Sequence, residues 1–288
     1  MKIHALAKIN LGLRIINKRT DGYHNIETIF HPINLYDEIT LEQNNTIKIS
    51  SSNTHLPTNN KNLCWKAVEL LQQSLKISQG VKIHIQKNIP VGAGLGGGSS
   101  NAAAMLYFLP KLWNVPIEKN ILLPLALQLG SDVPYFVELY EALEKKSNLT
   151  SGYAERRGEK ITMFSLQLPY WIVLVNPNIH ISTPWAYQQY SLHHLEKMPS
   201  QKTMFDISKN TITPLSTILY NDFEKVVLPA HPKIAEIKNT FFSFGAEYSL
   251  MSGSGSSIYG LFKNENDAKT AIEHYRKEYV VSLTEPNC

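Results

Sequence analysis

The sequence is poor in cysteine and has no long run of one charge. Its two cysteines, Cys64 and Cys288, lie far apart with no CxxC spacing. That usage argues against a disulfide scaffold and against a zinc site, and it is typical of a reduced, cytoplasmic protein. The 28 basic and 24 acidic residues are scattered along the chain and give a net charge of +4. This mild excess suits anionic small molecules and does not predict a nucleic-acid surface.

Long hydrophobic runs are also lacking. Charges at Lys2 and Lys8 interrupt the N-terminal segment too early for a signal-peptide core. The apolar stretch Ile121–Leu129 is broken by Pro124 and Gln128, and it is much shorter than the roughly 18 residues that cross a bilayer. We therefore expect a soluble protein without a membrane partner. With 288 residues, 43% of them hydrophobic, the chain can hold about two domains.

What the sequence does have is a glycine-dense segment, Pro90–Ser100, with five glycines between Gly92 and Gly98. Before it, Val81–Lys87 alternates apolar and polar residues as a half-buried strand does. After it, a helix is predicted from Ser99 to a point before a proline. Glycines let successive N–H groups converge on one anion, and the start of the helix adds unpaired donors and a positive dipole end. This first glycine loop is typical of a polyphosphate cradle.

Two better-known phosphate motifs do not fit this loop. No Gly-Lys-Ser/Thr follows it, which excludes a Walker A loop, and no acidic ribose ligand follows at the spacing of the dinucleotide fingerprint. The side chains of Ser99, Ser100 and Asn101 fall where the helix begins, so they could cap it or bind a phosphate oxygen or a phosphate-bound Mg²⁺. A flexible glycine-rich turn without a ligand stays open as the alternative.

The N-terminal residues predict two strands joined by a tight turn. Ala5–Ile16 alternates with period two, which puts Lys8 and Asn10 on one face. An Asp-Gly turn then leads into a second strand that begins with Tyr23 and His24, at the end of the hairpin and free to contact a ligand. Taken alone, an exposed edge aromatic and a turn-capping histidine are the simpler explanations of these two residues.

The rest of the first half predicts short strands and helices. Strands are expected at Leu35–Leu41 and Thr46–Ser50, and a helix follows Asn62 with apolar residues at helical spacing up to Leu75. A further helix is predicted over Pro116–Leu129, kinked or divided at its internal proline.

Asp132 stands between that helix end and a proline turn. An Asx turn or a cap accounts for an aspartate there, and a catalytic carboxylate is the functional alternative. From Glu138 to Lys160 the chain becomes charged, and we expect an irregular connection leading towards a second domain.

The second half alternates strands and helices. Tyr170–Val175 predicts a strand, a polar segment to Thr213 predicts loop with weak helix, and Pro229–Phe244 predicts a broken helix. Two strands flank a second glycine loop, Ser252–Ser256, which is either a simple strand turn or a second backbone patch near phosphates. A helix over Asn266–Tyr279 follows. The order strand, helix, strand, strand, helix, strand suits a ferredoxin-like sandwich.

Four segments in chain order, Lys8–Thr28, Pro90–Ala104, Gly130–Phe136 and Ser252–Ser257, together resemble the GHMP small-molecule kinases. Four ordered motifs are far less expected by chance than one. The resemblance implies an α+β, two-domain GHMP kinase fold, with an N-terminal ribosomal-protein-S5-like domain at residues 1–158 and a C-terminal ferredoxin-like α/β sandwich at residues 159–288. The Asp-Gly-Tyr-His turn is similar to one branch, whose acceptor is a diphosphocytidyl polyol of the non-mevalonate isoprenoid route.

The resemblance also implies roles for individual residues. ATP and Mg²⁺ are the expected cofactors, Asp132 would take the acceptor's hydroxyl proton, and Lys8 would orient and support that centre. Tyr23 and Tyr187 would sandwich the cytosine ring while His24 reads its polar edge. The other acceptor contacts implied are Asn10, Thr183, Gly253 and Ser254. The ATP contacts implied are Asn62, Pro90, Val91, Gly92, Ala93, Gly94, Leu95, Gly96, Gly97, Gly98, Ser99 and Ser100.

Two residues depart from that family pattern. Arg156 stands where a glycine is expected, and Tyr187 stands where a phenylalanine is usual, which keeps the stacking face and adds a hydroxyl. The alternatives are another GHMP kinase that acts on homoserine, mevalonate or a sugar, and a non-catalytic ligand-binding protein on the same fold. Either way, a monomer or weak homodimer with small-molecule ligands is expected.

Overall fold

The structure, a computed structural model, describes residues 1–192 and 219–286. Cys288 and residues 193–213 of the polar segment predicted above lie outside the described residues. The chain packs as two compact units. The first unit comprises Met1–Ala7, Tyr36–Ile89 and Gly96–Thr150, and the second comprises Lys8–Leu35, Pro90–Leu95 and Ser151–Cys288. The predicted domain boundary at residue 158 stays a prediction.

Ten strands and eight helices are found among the described residues. The strands are β1 (Lys2–Lys18), β2 (His24–Asn44), β3 (Ile47–Ser51), β4 (Gly80–Gln86), β5 (Ser151–Arg156), β6 (Lys160–Phe164), β7 (Trp171–Asn176), β8 (Tyr248–Met251), β9 (Ile258–Phe262) and β10 (Val280–Thr284). The helices are α1 (Leu63–Leu75), α2 (Gly97–Leu112), α3 (Lys119–Leu129), α4 (Val133–Glu144), α5 (Thr183–Leu192), α6 (Glu224–Ala230), α7 (Pro232–Ser243) and α8 (Glu265–Tyr275). No helix among these is long and apolar enough to cross a membrane.

The predicted hairpin at the N-terminus is confirmed, with β1 pairing with β2 across the Asp-Gly turn. The prediction of separate strands around Ile29 and Leu35 is wrong, because β2 runs through both without a break. Pro32 lies inside β2 but between its two ladders, with β5 at Ile26–Phe30 and with β4 at Glu38–Asn44. A proline at that point costs neither of these two ladders a hydrogen bond, so both pairings form around it.

The first unit places four helices with β3, β4 and the second half of β2. β4 pairs antiparallel with β2 and parallel with β3. The helix α1 forms as predicted, and the Asn62 side chain caps it by accepting the Cys64 N–H at 2.9 Å. Burial raises the pKa of the Cys64 thiol to about 12, so this free cysteine behaves as a small core residue.

Two prolines lie inside helices that we predicted they would limit. α2 continues through Pro110 to Leu112, and α3 is not divided at Pro124. Pro110 lies in the last turn of α2, so the helix has only two more residues after it. The buried residues Leu122, Leu125 and Ala126 give α3 an apolar side on both flanks of its proline.

The expectation of an irregular connection from Glu138 to Lys160 is wrong. α4 extends to Glu144, and β5 and β6 form an antiparallel hairpin. Charged residues of this region form ion pairs at partly exposed positions, as Glu141 does with Lys145 and Glu155 with Lys160. In the hairpin turn Arg156 has φ +62°, the left-handed conformation that glycine adopts without strain, which explains why the family pattern favours glycine there.

The second unit contains a four-stranded antiparallel sheet in the order β10-β7-β9-β8. With α7 and α8 this is the ferredoxin-like order predicted from the sequence. The prediction of a helix to Tyr279 is wrong at its end, because α8 stops at Tyr275 and Val280–Thr284 pairs with β7. The break before Pro232 is confirmed, although the first helical piece, α6, starts earlier than predicted.

Candidate active site

Lys8 and Asn10 lie side by side on β1, as the strand period predicts. Both are buried, with 3% and 2% of their surface exposed. Lys8 Nζ donates to Asn10 Oδ1 at 2.6 Å and to the Gly94 carbonyl at 3.1 Å. Asn10 Nδ2 donates to Thr28 Oγ1, which donates in turn to the Gly12 carbonyl. The strand pairing and this network hold the ammonium in one place.

The second glycine loop, Ser252–Ser256, packs against this pair and against Gly94. Ser252 Oγ donates to the Gly94 carbonyl at 2.9 Å and accepts the Asn10 N–H at 3.2 Å. A Cβ on Gly94 would lie 2.1 Å from the Ser252 carbonyl oxygen, and one on Gly253 would lie 3.3 Å from Gly94 Cα. The close approach therefore requires glycine at Gly94, and at Gly253 the tight contact and a φ of +57° both favour glycine. The second loop is therefore packed closely against Gly94 of the first loop.

Tyr23 and His24 stand at the end of the hairpin, as predicted. The Tyr23 ring is 56% exposed, and the guanidinium of Arg157 lies 4.6 Å from its centroid. The His24 ring stacks on Tyr187 with centroids 4.6 Å apart. Burial, and secondarily the charge of Lys18, lower the pKa of His24, so it is neutral near pH 7 and can both donate and accept hydrogen bonds.

Two further acceptor-side predictions fall together in the second unit. Thr183, at the start of α5, lies with its hydroxyl 2.8 Å from that of Ser254. His180, which the sequence reasoning did not single out, has Nδ1 only 3.2 Å from the Cβ position of Gly92. Because His180 is exposed and precedes a helix that the hydropathy pattern did not reveal, no periodic signal marked it.

In the first unit, the start of α2 presents free helical donors. Gly96 precedes the helix with φ +69°, and no side chain caps this end. The N–H groups of the first turn therefore have no partner within the helix. Gly98 is exposed, and a Cβ there would meet only Leu63 Cδ1, at 3.7 Å. Ser100 Oγ, by contrast, is buried 2.8 Å from the Tyr140 hydroxyl.

A buried ion pair fixes the residues that lead into the first glycine loop. Lys87 Nζ lies 2.7 Å from Asp37 Oδ2, and both side chains are almost fully buried. Asp37 Oδ1 also accepts the N–H groups of Asn88 and Ile89, each at 2.8 Å. Burial lowers the pKa of Lys87 while the Asp37 charge opposes that shift. The loop therefore starts from a rigid, hydrogen-bonded strand end.

Asp132 directly precedes α4, with Pro134 in the first turn of that helix. Its side chain makes no capping hydrogen bond to α4, so capping is not the reason for an aspartate here. Two residues earlier, the Cβ position of Gly130 lies 4.0 Å from Ser99 Oγ at the start of α2. The turn that carries Asp132 and the uncapped start of α2 therefore adjoin each other within the first unit.

The described residues contain no group of three or more His, Cys, Asp or Glu able to hold a metal ion. Mg²⁺ bound to nucleotide phosphates needs few protein ligands and prefers oxygen. At the start of α2 the Ser99 hydroxyl is half-buried, and Asn101 Oδ1 is buried with no hydrogen-bond partner among the described residues. This donor set fits a phosphate-bound Mg²⁺. Both ends of the Asn62 side chain, in contrast, are used locally, by Cys64 and Pro57.

Comparison with known proteins agrees with this fold and with these motifs. Residues 62–138 match the family described as GHMP kinases N terminal domain, and residues 206–281 match GHMP kinases C terminal. The matches and the fold define a two-domain GHMP kinase, so the protein is a small-molecule kinase.

Full-length relatives narrow the class further. The chain is 40% identical over 287 residues to the 4-diphosphocytidyl-2-C-methyl-D-erythritol kinase of Chlorobium luteolum, covering 99% of this chain and 97% of the relative. It is 41% identical to the protein of that name from Chlorobium chlorochromatii, covering 99% and 96%. The chain belongs to the 4-diphosphocytidyl-2-C-methyl-D-erythritol kinase family.

Solved structures are similar over the whole chain. A crystal structure of 4-(cytidine 5'-diphospho)-2C-methyl-D-erythritol kinase has a TM-score of 0.79 and 29% identity, with all of both chains covered. Homoserine kinase from Cytophaga hutchinsonii has a TM-score of 0.68 at 17% identity, covering 99% of this chain and 95% of its own. The second likeness shows the fold alone.

Proposed function

We propose that the protein transfers the γ-phosphoryl group of ATP to the 2-hydroxyl of 4-diphosphocytidyl-2-C-methyl-D-erythritol, giving the 2-phosphate and ADP. This step belongs to non-mevalonate isoprenoid precursor synthesis. The observation that carries the proposal is that the Gly130 turn, which bears Asp132, adjoins Ser99 at the uncapped start of α2. A turn that carries a carboxylate beside backbone phosphate donors suits phosphoryl transfer to an alcohol, in which a base takes the hydroxyl proton near the bound phosphates.

The nucleotide side of the site is assigned to the first glycine loop, Pro90–Ser100. Backbone N–H groups and the positive end of α2 would bind the triphosphate. Phosphoryl transfer needs mainly positioning and charge stabilisation, and rigid donors supply both. Mg²⁺ bound with the nucleotide would supply further charge neutralisation, and the Ser99 hydroxyl is the protein group at the start of α2 that would bind it. Asn62 is the weakest nucleotide assignment because its side chain is already engaged.

Asp132 and Lys8 are assigned to the chemical step. Asp132 would accept the hydroxyl proton, and a positioned base of this kind contributes roughly 10²–10⁴-fold to the rate. Lys8 would stabilise the negative charge that develops during transfer, from its fixed place beside Asn10 and Gly94. Asn10 is assigned to the acceptor, next to this ammonium.

The cytidylyl side of the acceptor is assigned to Tyr23, His24 and Tyr187. Aromatic faces stack on a base with about 1–3 kcal/mol per base in nucleic-acid systems. The exposed ring of Tyr23 offers one such face, and the neutral imidazole of His24, whose Nε2 lies 3.1 Å from Ser191 Oγ, offers its other ring nitrogen to the cytosine edge. Thr183, Gly253 and Ser254 complete the acceptor contacts.

The acceptor choice separates this proposal from the alternatives. A purified chain is supplied with ATP, Mg²⁺ and either the diphosphocytidyl alcohol, mevalonate or homoserine, and ADP release is followed by a coupled assay. Of the three alcohols, we expect turnover only with the diphosphocytidyl alcohol. Turnover with another alcohol at comparable kcat/KM would favour a different GHMP kinase, and no turnover with nucleotide binding intact would favour a non-catalytic binding protein. The protein would work as a cytoplasmic monomer or weak homodimer without nucleic acid.

A further inference from the structure

Asn221 is a buried polar residue that neither the sequence motifs nor the proposed mechanism uses. It precedes α6 and is 3% exposed. Its Nδ2 donates to the carbonyls of Met251 and Gly253, at 2.8 and 2.7 Å, while its Oδ1 accepts the Phe223 N–H at 3.0 Å. The amide therefore uses both of its hydrogens and its oxygen, and it spans from the start of α6 to the second glycine loop.

The residues on either side of Asn221 bind β1. The Leu13 N–H donates to the Tyr220 carbonyl at 2.8 Å, and the Asp222 N–H donates to the Leu13 carbonyl at 3.0 Å. Asp222 Oδ2 accepts the Ile15 N–H at 2.8 Å. These hydrogen bonds of its two neighbours fix Asn221 beside β1, the strand that also carries Lys8 and Asn10.

The second glycine loop, to which Asn221 donates its hydrogen bonds, also contacts residues of the proposed site. Ser252, between the two gripped carbonyls, donates to the Gly94 carbonyl and accepts the Asn10 N–H. The same Gly94 carbonyl accepts a hydrogen bond from Lys8 Nζ. Asn221 therefore holds the backbone on both sides of Ser252, and hydrogen bonds lead from Ser252 through the Gly94 carbonyl to the ammonium.

We infer that Asn221 is a positioning residue for phosphoryl transfer, because it fixes the second glycine loop relative to β1 and so holds Gly94 and Lys8 in register. It touches neither nucleotide nor acceptor and acts through Ser252 and Gly94. The inference rests on the proposed function for its kinetic consequence. A displacement of about 1 Å in such a site lowers the rate by about 10²-fold, so a kinetic effect larger than the stability effect is expected.

Asn221→Ser separates the two roles of this side chain. A serine hydroxyl can still accept the N–H two residues ahead, and so preserves the turn before α6, but it is too short to reach Met251 and Gly253. Val226→Ala is the matched control, because Val226 is buried in the same segment and its apolar side chain takes no part in the hydrogen bonds.

The first experiment needs no acceptor. In ¹H–¹⁵N spectra of the full chain, Asn221→Ser should shift the amides of Gly94 and Asn10, and Val226→Ala should leave both in place. Shifts confined to residues 219–226 and 251–254 would overturn the inference, whatever the enzyme's substrate proves to be.

The second experiment is kinetic and uses ATP with the diphosphocytidyl alcohol. Asn221→Ser should lower kcat about tenfold or more while KM for ATP changes less than about threefold. Ser252→Ala should lower kcat as well, and the double variant should be little worse than the poorer single one, since both act along one path. Full kcat in a folded Asn221→Ser protein, or additive losses, would overturn the inference. A wild-type chain inactive on this alcohol would instead count against the proposed function.

Discussion

Lys8 donates a hydrogen bond of 2.6 Å to Asn10, two residues along the same strand. A lysine has a long, flexible side chain, and in solution its ammonium samples many positions. Here three groups hold the ammonium in one position. They are the Asn10 oxygen, the Gly94 carbonyl and the face of the Phe30 ring, whose centroid lies 4.9 Å from Nζ. A fixed charge costs no reorganisation when negative charge develops on the substrate, which is the property that electrostatic catalysis needs.

Replacing Asp132 tests the assignment of the base. We expect Asp132→Ala to lower kcat by roughly 10²–10⁴-fold, because the hydroxyl proton loses its acceptor. The affinity for an unreactive ATP analogue, measured by calorimetry, should stay close to wild type. Glu138→Ala on α4 is a suitable control, since its carboxylate binds Lys119. Near-normal kcat in Asp132→Ala would remove Asp132 from its role.

Tyr23 and His24, at the end of the hairpin, should determine the KM for the acceptor and have little effect on the KM for ATP. Tyr23→Ala is expected to raise KM for the diphosphocytidyl alcohol about tenfold or more through the lost stacking face, and His24→Ala should act in the same direction. Tyr36→Ala is the control, because it removes a tyrosine ring that stacks on His4, with centroids 4.2 Å apart, and that is not assigned to the acceptor. Equal rises in KM for ATP and acceptor would refute the assignment.

Alanine substitutions at two glycines of the first loop should impair different properties of the protein. Gly94→Ala should destabilise the fold by several kcal/mol, on the order of 3, because its Cβ would overlap the Ser252 carbonyl and its φ of +77° disfavours alanine. Gly98→Ala has room in the fold and should keep its melting temperature, yet weaken nucleotide binding, since a methyl group would stand on the phosphate side. Thermal unfolding beside nucleotide titration distinguishes the two. A stable Gly94→Ala protein would contradict the packing described for the loops.

His31 should make stability depend on pH. It is 3% exposed, its Nδ1 lies 2.8 Å from Ser151 Oγ, and burial lowers its pKa from 6.5 to about 4. Below pH 6.5, His31 is protonated in the unfolded chain and stays neutral in the folded chain. Stability from this group is therefore complete above pH 6.5 and falls as the pH drops towards 4, by about 2 kcal/mol at pH 5.

Urea unfolding at pH 7 and pH 5 measures this effect. The variant His31→Asn keeps a polar atom near the Nδ1 position and cannot titrate, so the pH-dependent loss should shrink by that amount. An equal loss in wild type and variant would assign the effect to other groups.

Local patterns were enough to predict the hairpin with Lys8 and Asn10 on one face, the strand, glycine loop and helix order, and α1 with its Asn62 cap. They failed where pairing between distant segments decides the structure. Val280–Thr284 pairs with β7, a partner far back in the chain that no local pattern identifies. The charge of residues 138–160 obscured the apolar face of α4, whose Tyr135, Phe136, Leu139 and Tyr140 are buried.

The site divides in the same way. The glycine spacing and the Asp-Gly-Tyr-His turn are local signals, so both can be recognised in the sequence. Asn221 has no such signal, because its partners Met251 and Gly253 lie about thirty residues ahead and are backbone carbonyls that any sequence possesses. His180 contacts the Gly92 position for an equally non-local reason.

The position of phosphorylation tests the central claim most directly. The diphosphocytidyl alcohol is incubated with ATP, Mg²⁺ and the chain, and the product is examined by ³¹P and ¹³C nuclear magnetic resonance. The account predicts one new phosphate monoester whose phosphorus couples to the tertiary carbon at position 2, with one ADP formed for each. A phosphate on any other hydroxyl, or inorganic phosphate with the alcohol unchanged, would contradict it.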